Sequence, residues 1–123
     1  MSTPKYNTDQ LITQIIKIAE DAKSLDIKLL DLREIENTVC DYFIICSGTS
    51  NTHVEAIAGR IQKDVSKELH EKPWHTEGEQ TAEWILLDYV NVVVHVFQQP
   101  TREHYDLESL WGDAKVTSFS ETV

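Results

Sequence analysis

The side chains that could carry out catalysis are spread along this chain and do not form a known motif. Five histidines are present, at His53, His70, His75, His95 and His104. None belongs to an H-E-x-x-H motif or to a Cys/His cluster with zinc-site spacing. Asp31 and Asp88 are each the only carboxylate in their predicted strand, so a metal-binding carboxylate pair cannot be assembled locally. The sequence therefore predicts no metal, no cofactor and no catalytic centre.

The segment Ser47-Gly48-Thr49-Ser50 resembles a phosphate-binding loop, because it joins a predicted strand to a predicted helix. It has a single glycine and matches neither G-x-x-x-x-G-K-[ST] nor G-x-G-x-x-G. Ser47 also lacks the G-x-S-x-G frame of a hydrolase nucleophile. A tight connection with helix-capping hydroxyls is favoured over a nucleotide site, and we expect the protein not to be an enzyme.

The net charge of −10 is unevenly distributed. Residues 71–123 hold three Lys and Arg against ten Asp and Glu, a net charge of −7, whereas residues 1–70 carry −3. Such a surface repels phosphate backbones and attracts a basic protein. The charge would alternatively serve only solubility. We expect no direct sequence-specific contact with nucleic acid.

The two cysteines, Cys40 and Cys46, fall six residues apart in one extended run. That spacing separates them by roughly 20 Å, too far for a disulfide. Reduced thiols are typical of the cytoplasm. No apolar stretch approaches the roughly 20 residues that span a membrane, and no signal peptide is evident. The sequence predicts a cytoplasmic protein with no membrane partner.

The chain length suits one domain, predicted to have an ordered core over about 8–114 and a mobile tail over 115–123. Helical spacing predicts a helix over 8–23 capped by Asn7 or Thr8, and strands follow over 27–33 and 41–47. A capping box of Thr52 and Glu55 begins a second helix that ends near Leu69. Its Gly59 is expected to allow close packing against the sheet. Residues 70–82 are predicted to be a loop with a short extended piece near Trp74.

The strongest local pattern is the hairpin WILLDY-VN-VVVHVF, over residues 84–97. A two-residue turn at Val90-Asn91 gives it one wholly apolar face, expected to be core: Ile85, Leu87, Tyr89, Val92, Val94 and Val96. The opposite face pairs Trp84 with Phe97, Leu86 with His95 and Asp88 with Val93. This aromatic face is either a partner interface or is covered by a helix. Valine is a poor residue for such a turn, which indicates strain or a longer loop.

A last helix is predicted over about 101–111, capped by Thr101 and carrying Tyr105, Leu107, Leu110 and Trp111. The segment TSFSETV that follows shows no packing pattern. Altogether the elements predict an α/β fold, a mixed β-sheet flanked by helices.

Several long runs resemble the ribosomal silencing factor family, also called the Iojap family. They are DYFIICSGTSNTHVEAIA (41–58), EG (77–78), EWILLDY (83–89), VVVHVF (92–97) and REHYDLESLWGDA (102–114). The resemblance implies a nucleotidyltransferase-like fold without catalytic carboxylates. It also implies a translation repressor that binds the large ribosomal subunit through the ribosomal protein numbered fourteen in the universal large-subunit set, and so blocks joining of the small subunit.

The same resemblance places the partner surface on the strand EWILLDY. Its implied contact residues are Trp84, Leu86, Asp88 and Tyr89, with Tyr105 and Trp111 from the following segment. Arg102 is implied to fix the start of the last helix. The family usually reads Gly-Asp where this chain has Val90-Asn91, so the turn geometry departs from the pattern.

Two other functions remain open at this point. One is a residual nucleotidyltransferase that holds a triphosphate at Ser47–Ser50. The other is a homodimer formed through the aromatic face, which would compete with ribosome binding.

Overall fold

A computed structural model describes residues 7–38 and 40–119, which form a mixed six-stranded sheet in the order β3-β4-β5-β2-β1-β6. The strands are β1 (Leu25–Asp31), β2 (Tyr42–Gly48), β3 (His75–Glu77), β4 (Trp84–Asp88), β5 (Val92–Gln98) and β6 (Lys115–Phe119). The helices are α1 (Thr8–Asp21), α2 (Asn51–Leu69), α3 (Gln99–Tyr105) and α4 (Leu107–Leu110). α1 and α2 pack on one face of the sheet, while α3 and α4 lie against the other. The predicted mixed α/β architecture is confirmed.

The centre of the sheet is β2, in which every residue is buried. It pairs in parallel with β5 and antiparallel with β1. A nearly continuous apolar strand is typical of a position covered on both faces, and the structure confirms that prediction. β1 starts and ends two residues earlier than predicted, with an irregularity between Leu25 and Lys28 where Asp26 has a φ of +50°.

The helix α1 begins with a capping box formed by Asn7 and Gln10. The Asn7 side chain accepts the Gln10 backbone N–H at 2.8 Å, and the Gln10 side chain accepts the Asn7 N–H at 2.9 Å. Asn7 is therefore the cap, one of the two residues predicted. The isoleucines and leucine of α1 face the sheet, because they recur at helical spacing.

Two predictions about α2 are wrong. The Oγ of Ser50, not Thr52, caps the helix by accepting the His53 N–H at 3.1 Å. Thr52 already lies inside the helix, so the predicted box with Glu55 is not its start. Gly59 does not pack closely against the sheet, since a Cβ built there meets nothing within 4 Å.

The segment after α2 is mostly irregular but contains the short strand β3, confirming an extended piece beside Trp74. β3 pairs antiparallel with β4. Gly78, at a φ of +83°, makes the turn between them, and a Cβ there would lie 1.8 Å from the Trp84 carbonyl oxygen. Only glycine allows that approach, so Gly78 fixes where β4 begins.

The C-terminal segment departs from prediction in two respects. The single helix over 101–111 is divided into α3 and α4 by Asp106, whose φ is +48°. Thr101 is not a cap, because α3 begins after Gln98 and has Pro100 in its first turn. The predicted mobile tail is also wrong over 115–119, which form β6 against β1. Residues 120–123 lie outside the described residues.

Candidate functional site

The β4–β5 hairpin has the register that the sequence predicted. Trp84 pairs with Phe97, Leu86 with His95 and Asp88 with Val93. The Tyr89 N–H donates to the Val92 carbonyl at 2.8 Å, which leaves Val90 and Asn91 as the two-residue turn. The apolar face is buried in the core beneath α1 and α2, as expected.

The aromatic face, defined as Trp84, Leu86, Asp88, Val93, His95 and Phe97, is divided between its two strands. On β5 all three residues are buried, covered by side chains of α4 and packed against Phe43 of the neighbouring strand β2. On β4 all three are only half-buried. The helix-covered interpretation therefore holds for β5, and the half-open surface lies along β4, one strand from the edge of the sheet.

Trp84 is held in one orientation although part of its surface is exposed. Its indole Nε1–H donates to Nδ1 of His95 at 3.0 Å. Its ring stacks on Phe97 with centroids 4.8 Å apart and meets Tyr105 at 5.0 Å. Contacts on several sides restrict its rotamers, so the exposed part of the ring has a fixed orientation.

His95 is the buried support beneath Trp84. Because Nδ1 accepts the indole proton, the neutral ring carries its own proton on Nε2. Nε2 is buried and has no hydrogen-bond partner among the described residues. The edge of the ring meets Phe43 at a centroid distance of 4.5 Å. Burial lowers the pKa of His95 to about 4, so the imidazole stays neutral near pH 7 and continues to accept from Trp84.

Four of the six predicted contact residues form one cluster on this side of the sheet. Trp84, Leu86 and Trp111 all pack against the cluster below α4, and Tyr105 touches Trp84. Tyr105 is 54% exposed, and Trp111 packs edge-on against Phe43 at 5.7 Å. Aromatic side chains that combine exposure with a fixed position are typical of binding surfaces.

The remaining two predicted contact residues lie at the hairpin turn. Asp88 Oδ1 accepts the Val90 N–H at 2.7 Å and so supports the turn. Tyr89 is only 5% exposed and belongs to the core on the other face. Val90 has a φ of +77°, a strained conformation for a β-branched residue. The strained two-residue turn is thus the correct interpretation of Val90-Asn91.

Arg102 has a larger role than its position in the sequence indicated. It lies in the last turn of α3, so it does not fix the start of that helix. Its buried guanidinium donates to the Asp26 carbonyl and to Ser47 Oγ, each at 2.8 Å, and to Glu108 at 3.0 Å. These bonds tie α3 and α4 to the ends of β1 and β2. Sequence pattern contains no signal for such long-range contacts.

The Ser47–Ser50 connection uses its polar groups internally. Ser47 Oγ accepts from Arg102, Ser50 caps α2, and the Thr49 N–H donates to Nδ1 of His53 at 2.9 Å. These bonds match the tight-connection interpretation. Among residues 7–38 and 40–119, no three His, Cys, Asp or Glu side chains gather to hold a metal ion. Within the same residues, no helix is long and apolar enough to cross a membrane.

Known proteins are similar to this chain in sequence and in fold. A family model described as ribosomal silencing factor during starvation matches residues 5–123. The chain belongs to this family. Ribosomal silencing factor RsfS of Bacillus subtilis is 45% identical over 104 residues, which cover 81% of this chain and 86% of the relative. A crystal structure of a Chromobacterium violaceum protein superposes with a TM-score of 0.81 at 30% identity, covering 96% of this chain and 91% of that one.

More distant relatives belong to organelles. A mouse protein named mitochondrial assembly of ribosomal large subunit protein 1 is 33% identical over 110 residues, covering 87% of this chain but 46% of that protein. Membership in the ribosomal silencing factor family confirms the resemblance read from the motifs. It assigns the chain to ribosome-associated regulation of translation.

Proposed function

We propose that this chain represses translation by binding the large ribosomal subunit where the small subunit docks, so that the two cannot join. The partner is the ribosomal protein numbered fourteen in the universal large-subunit set, and the site of action is the cytoplasm. The mechanism is steric: it needs affinity and bulk at the correct position, and no catalysis.

The half-open position of Trp84 carries this proposal. A large aromatic side chain that is already ordered loses little rotamer entropy on binding, so more of its contact energy appears as affinity. Trp84 is ordered by His95, Phe97 and Tyr105 before any partner arrives. Binding energy at protein interfaces concentrates in such residues.

The other contact residues are assigned according to their exposure. Leu86 and Tyr105 extend the apolar surface around Trp84, and Trp111 supports it from α4's end. Asp88 offers a carboxylate to a basic partner. Tyr89, being buried, contributes only by holding β4 in place.

The decisive experiment is co-sedimentation of Trp84→Ala with purified large subunits. We expect the variant to lose at least about tenfold in affinity, as hot-spot truncations cost about 2 kcal/mol or more. The matched control is Val116→Ala, an exposed apolar residue of β6 at the opposite edge of the sheet. Unchanged co-sedimentation of a folded Trp84→Ala would show that the assigned surface is wrong.

Self-association is the competing use of the same surface, because Trp84 and Tyr105 could meet a second copy. Light scattering over a concentration series, with Trp84→Ala alongside wild type, separates the two. A dimer that Trp84→Ala dissociates, without any effect on subunit binding, would favour the homodimer over the repressor interface.

A further inference from the structure

We propose that a groove between α2 and β3 binds the sugar–phosphate backbone of single-stranded RNA. The groove has a volume of about 530 Å³ and lies at the β3 edge of the sheet. Its lining residues come from one face of α2 and from the chain entering β3: Gly59, Gln62, Lys63, Ser66, Lys72, Pro73 and Thr76. The proposal rests on the proposed function, since it makes ribosomal RNA a second contact beside the ribosomal protein.

The charge of the groove is opposite to that of the molecule. Of the described residues that line it, two are lysines, Lys63 and Lys72, and none is acidic. The chain as a whole carries −10. At physiological salt the screening length is about 8 Å, so carboxylates farther away are screened while ammonium groups in direct contact with a phosphate are not. The lining residue Thr76 donates its hydroxyl to the Glu79 carboxylate at 2.7 Å, so the positive charge available to an anion comes from Lys63 and Lys72.

Gly59 gives an independent reason to expect a ligand in the groove. A glycine in the middle of a helix is destabilising relative to alanine. Its usual justification is close packing inside the protein, but a Cβ at Gly59 would meet nothing within 4 Å. The open space is the groove itself. A bare backbone at this point allows a bound chain to approach the helix closely.

Trp74 offers an exposed ring, next to a lining residue of the groove, on which a base can stack. It follows Pro73 of the groove directly in the chain, and it is 80% exposed. Exposed aromatic rings beside basic grooves are typical of proteins that bind single-stranded nucleic acid, because each base can stack on the ring while the backbone meets positive charge. An acidic peptide would use the lysines, but its carboxylates would not stack on the ring.

The test measures binding of a fluorescent oligouridylate by anisotropy, with the full chain. We expect the double variant Lys63→Gln/Lys72→Gln to weaken binding at least about tenfold at low salt, and to reduce the slope of log K against log salt by about 1.4, at about 0.7 per phosphate contact. The charge-matched control is Lys17→Gln/Lys23→Gln on the α1 side, expected to change affinity less than about twofold. Equal losses in both double variants, or no binding by wild type, would overturn the groove as an RNA site.

A second pair of variants separates RNA from other anions and folding from binding. Gly59→Ala should raise Tm by a few degrees yet weaken oligouridylate binding, and Trp74→Ala should weaken it without lowering Tm. Polyglutamate should compete poorly. Full competition by polyglutamate together with unaltered RNA affinity of Trp74→Ala would assign the groove to an acidic peptide and refute the RNA proposal.

Failure of the groove proposal and failure of the proposed protein-binding surface give different results. If Trp84→Ala loses large-subunit binding while Lys63→Gln/Lys72→Gln leaves oligouridylate binding unchanged, only the groove proposal fails. If the lysine variant loses oligouridylate and Trp84→Ala still sediments with large subunits, only the assigned protein-binding surface fails.

Discussion

At the scale of single residues, the pairing of Trp84 with His95 connects folding to the proposed binding surface. His95 is buried, accepts the indole N–H and has a pKa lowered to about 4 by burial. The unfolded chain binds a proton near pH 6.5. Because the folded pKa is the lower one, protonation favours unfolding. The stabilising contribution is complete above about pH 6.5 and is lost as the pH falls towards 4.

We therefore predict that His95→Gln removes part of the acid sensitivity of the protein. Its side-chain oxygen can still accept the indole N–H, but the group does not titrate. Between pH 7.5 and pH 5.0, the free energy of unfolding measured in urea should fall by about 2 kcal/mol more in wild type than in the variant. Parallel losses in both proteins would show that His95 does not sense pH.

Among the residues that the structure describes, Val90 is the clearest strained one. Its φ of +77° is unfavourable for a β-branched side chain, at a cost of roughly 1 to 3 kcal/mol. Glycine adopts this conformation freely but loses more entropy on folding. Val90→Gly should therefore stabilise the protein by about 1 kcal/mol in urea unfolding. Val116→Gly, in the exposed strand β6, should destabilise it, and a destabilised Val90→Gly would contradict the strain argument.

At the scale of elements, α3 and α4 are held in place by one buried arginine. Arg102 bonds to Asp26, Ser47 and Glu108 on three different parts of the chain. Burial raises the pKa of Glu108, but the hydrogen bonds and charges of Arg102 and Lys28 more than offset it and leave that pKa lowered. The pair is thus ionised at neutral pH, and its contribution is lost as the pH falls through the folded pKa of Glu108.

We predict that Arg102→Ala destabilises the protein by about 3 kcal/mol, because the half-buried Glu108 keeps only its longer contact with Lys28 and the buried Ser47 hydroxyl loses its donor. The matched control is Arg33→Ala, whose ion pair with Asp31 is exposed and should barely change the urea midpoint. Arg102→Ala should also weaken the proposed large-subunit binding, since α3 carries Tyr105. Similar midpoints for the two variants would remove the special role of Arg102.

At the scale of the whole molecule, the sheet has β3 at one edge and β6 at the other. The candidate surface lies on β4, beside the short β3, whereas β6 closes the far side against β1. Every residue of β6 except Phe119 is exposed, so its contribution comes from backbone pairing and from Phe119 against the core. An uncovered β1 would be an open strand edge, which favours aggregation.

We predict that a chain ending at Ala114 has a free energy of unfolding lower by roughly 2 to 4 kcal/mol, measured in urea, and aggregates more readily. The control ends at Phe119 and keeps β6 intact. We expect wild type and the control to be similarly stable and the shorter chain to be less stable than both. Equal stability of both truncated proteins would show that β6 adds nothing to the fold.

The sequence by itself determined the elements whose patterns are local. The helical spacing of α1, the continuous apolar run of β2 and the alternation in the β4–β5 hairpin each follow from which residues one element must bury. The hairpin register placed Trp84, Leu86 and Asp88 on one face because side chains alternate along a strand. The family motifs gave the same surface.

Only the tertiary structure decided how that face is divided, since burial on β5 depends on residues far away in the chain. Contacts such as Arg102 to Asp26, β6 to β1 and Tyr105 to Trp84 join segments that no short-range periodicity relates. The break at Asp106 and the exposed groove at Gly59 likewise could not be predicted from the local sequence pattern. Local propensity sets which segments are helix or strand, but long-range packing decides which side chains remain open to a partner.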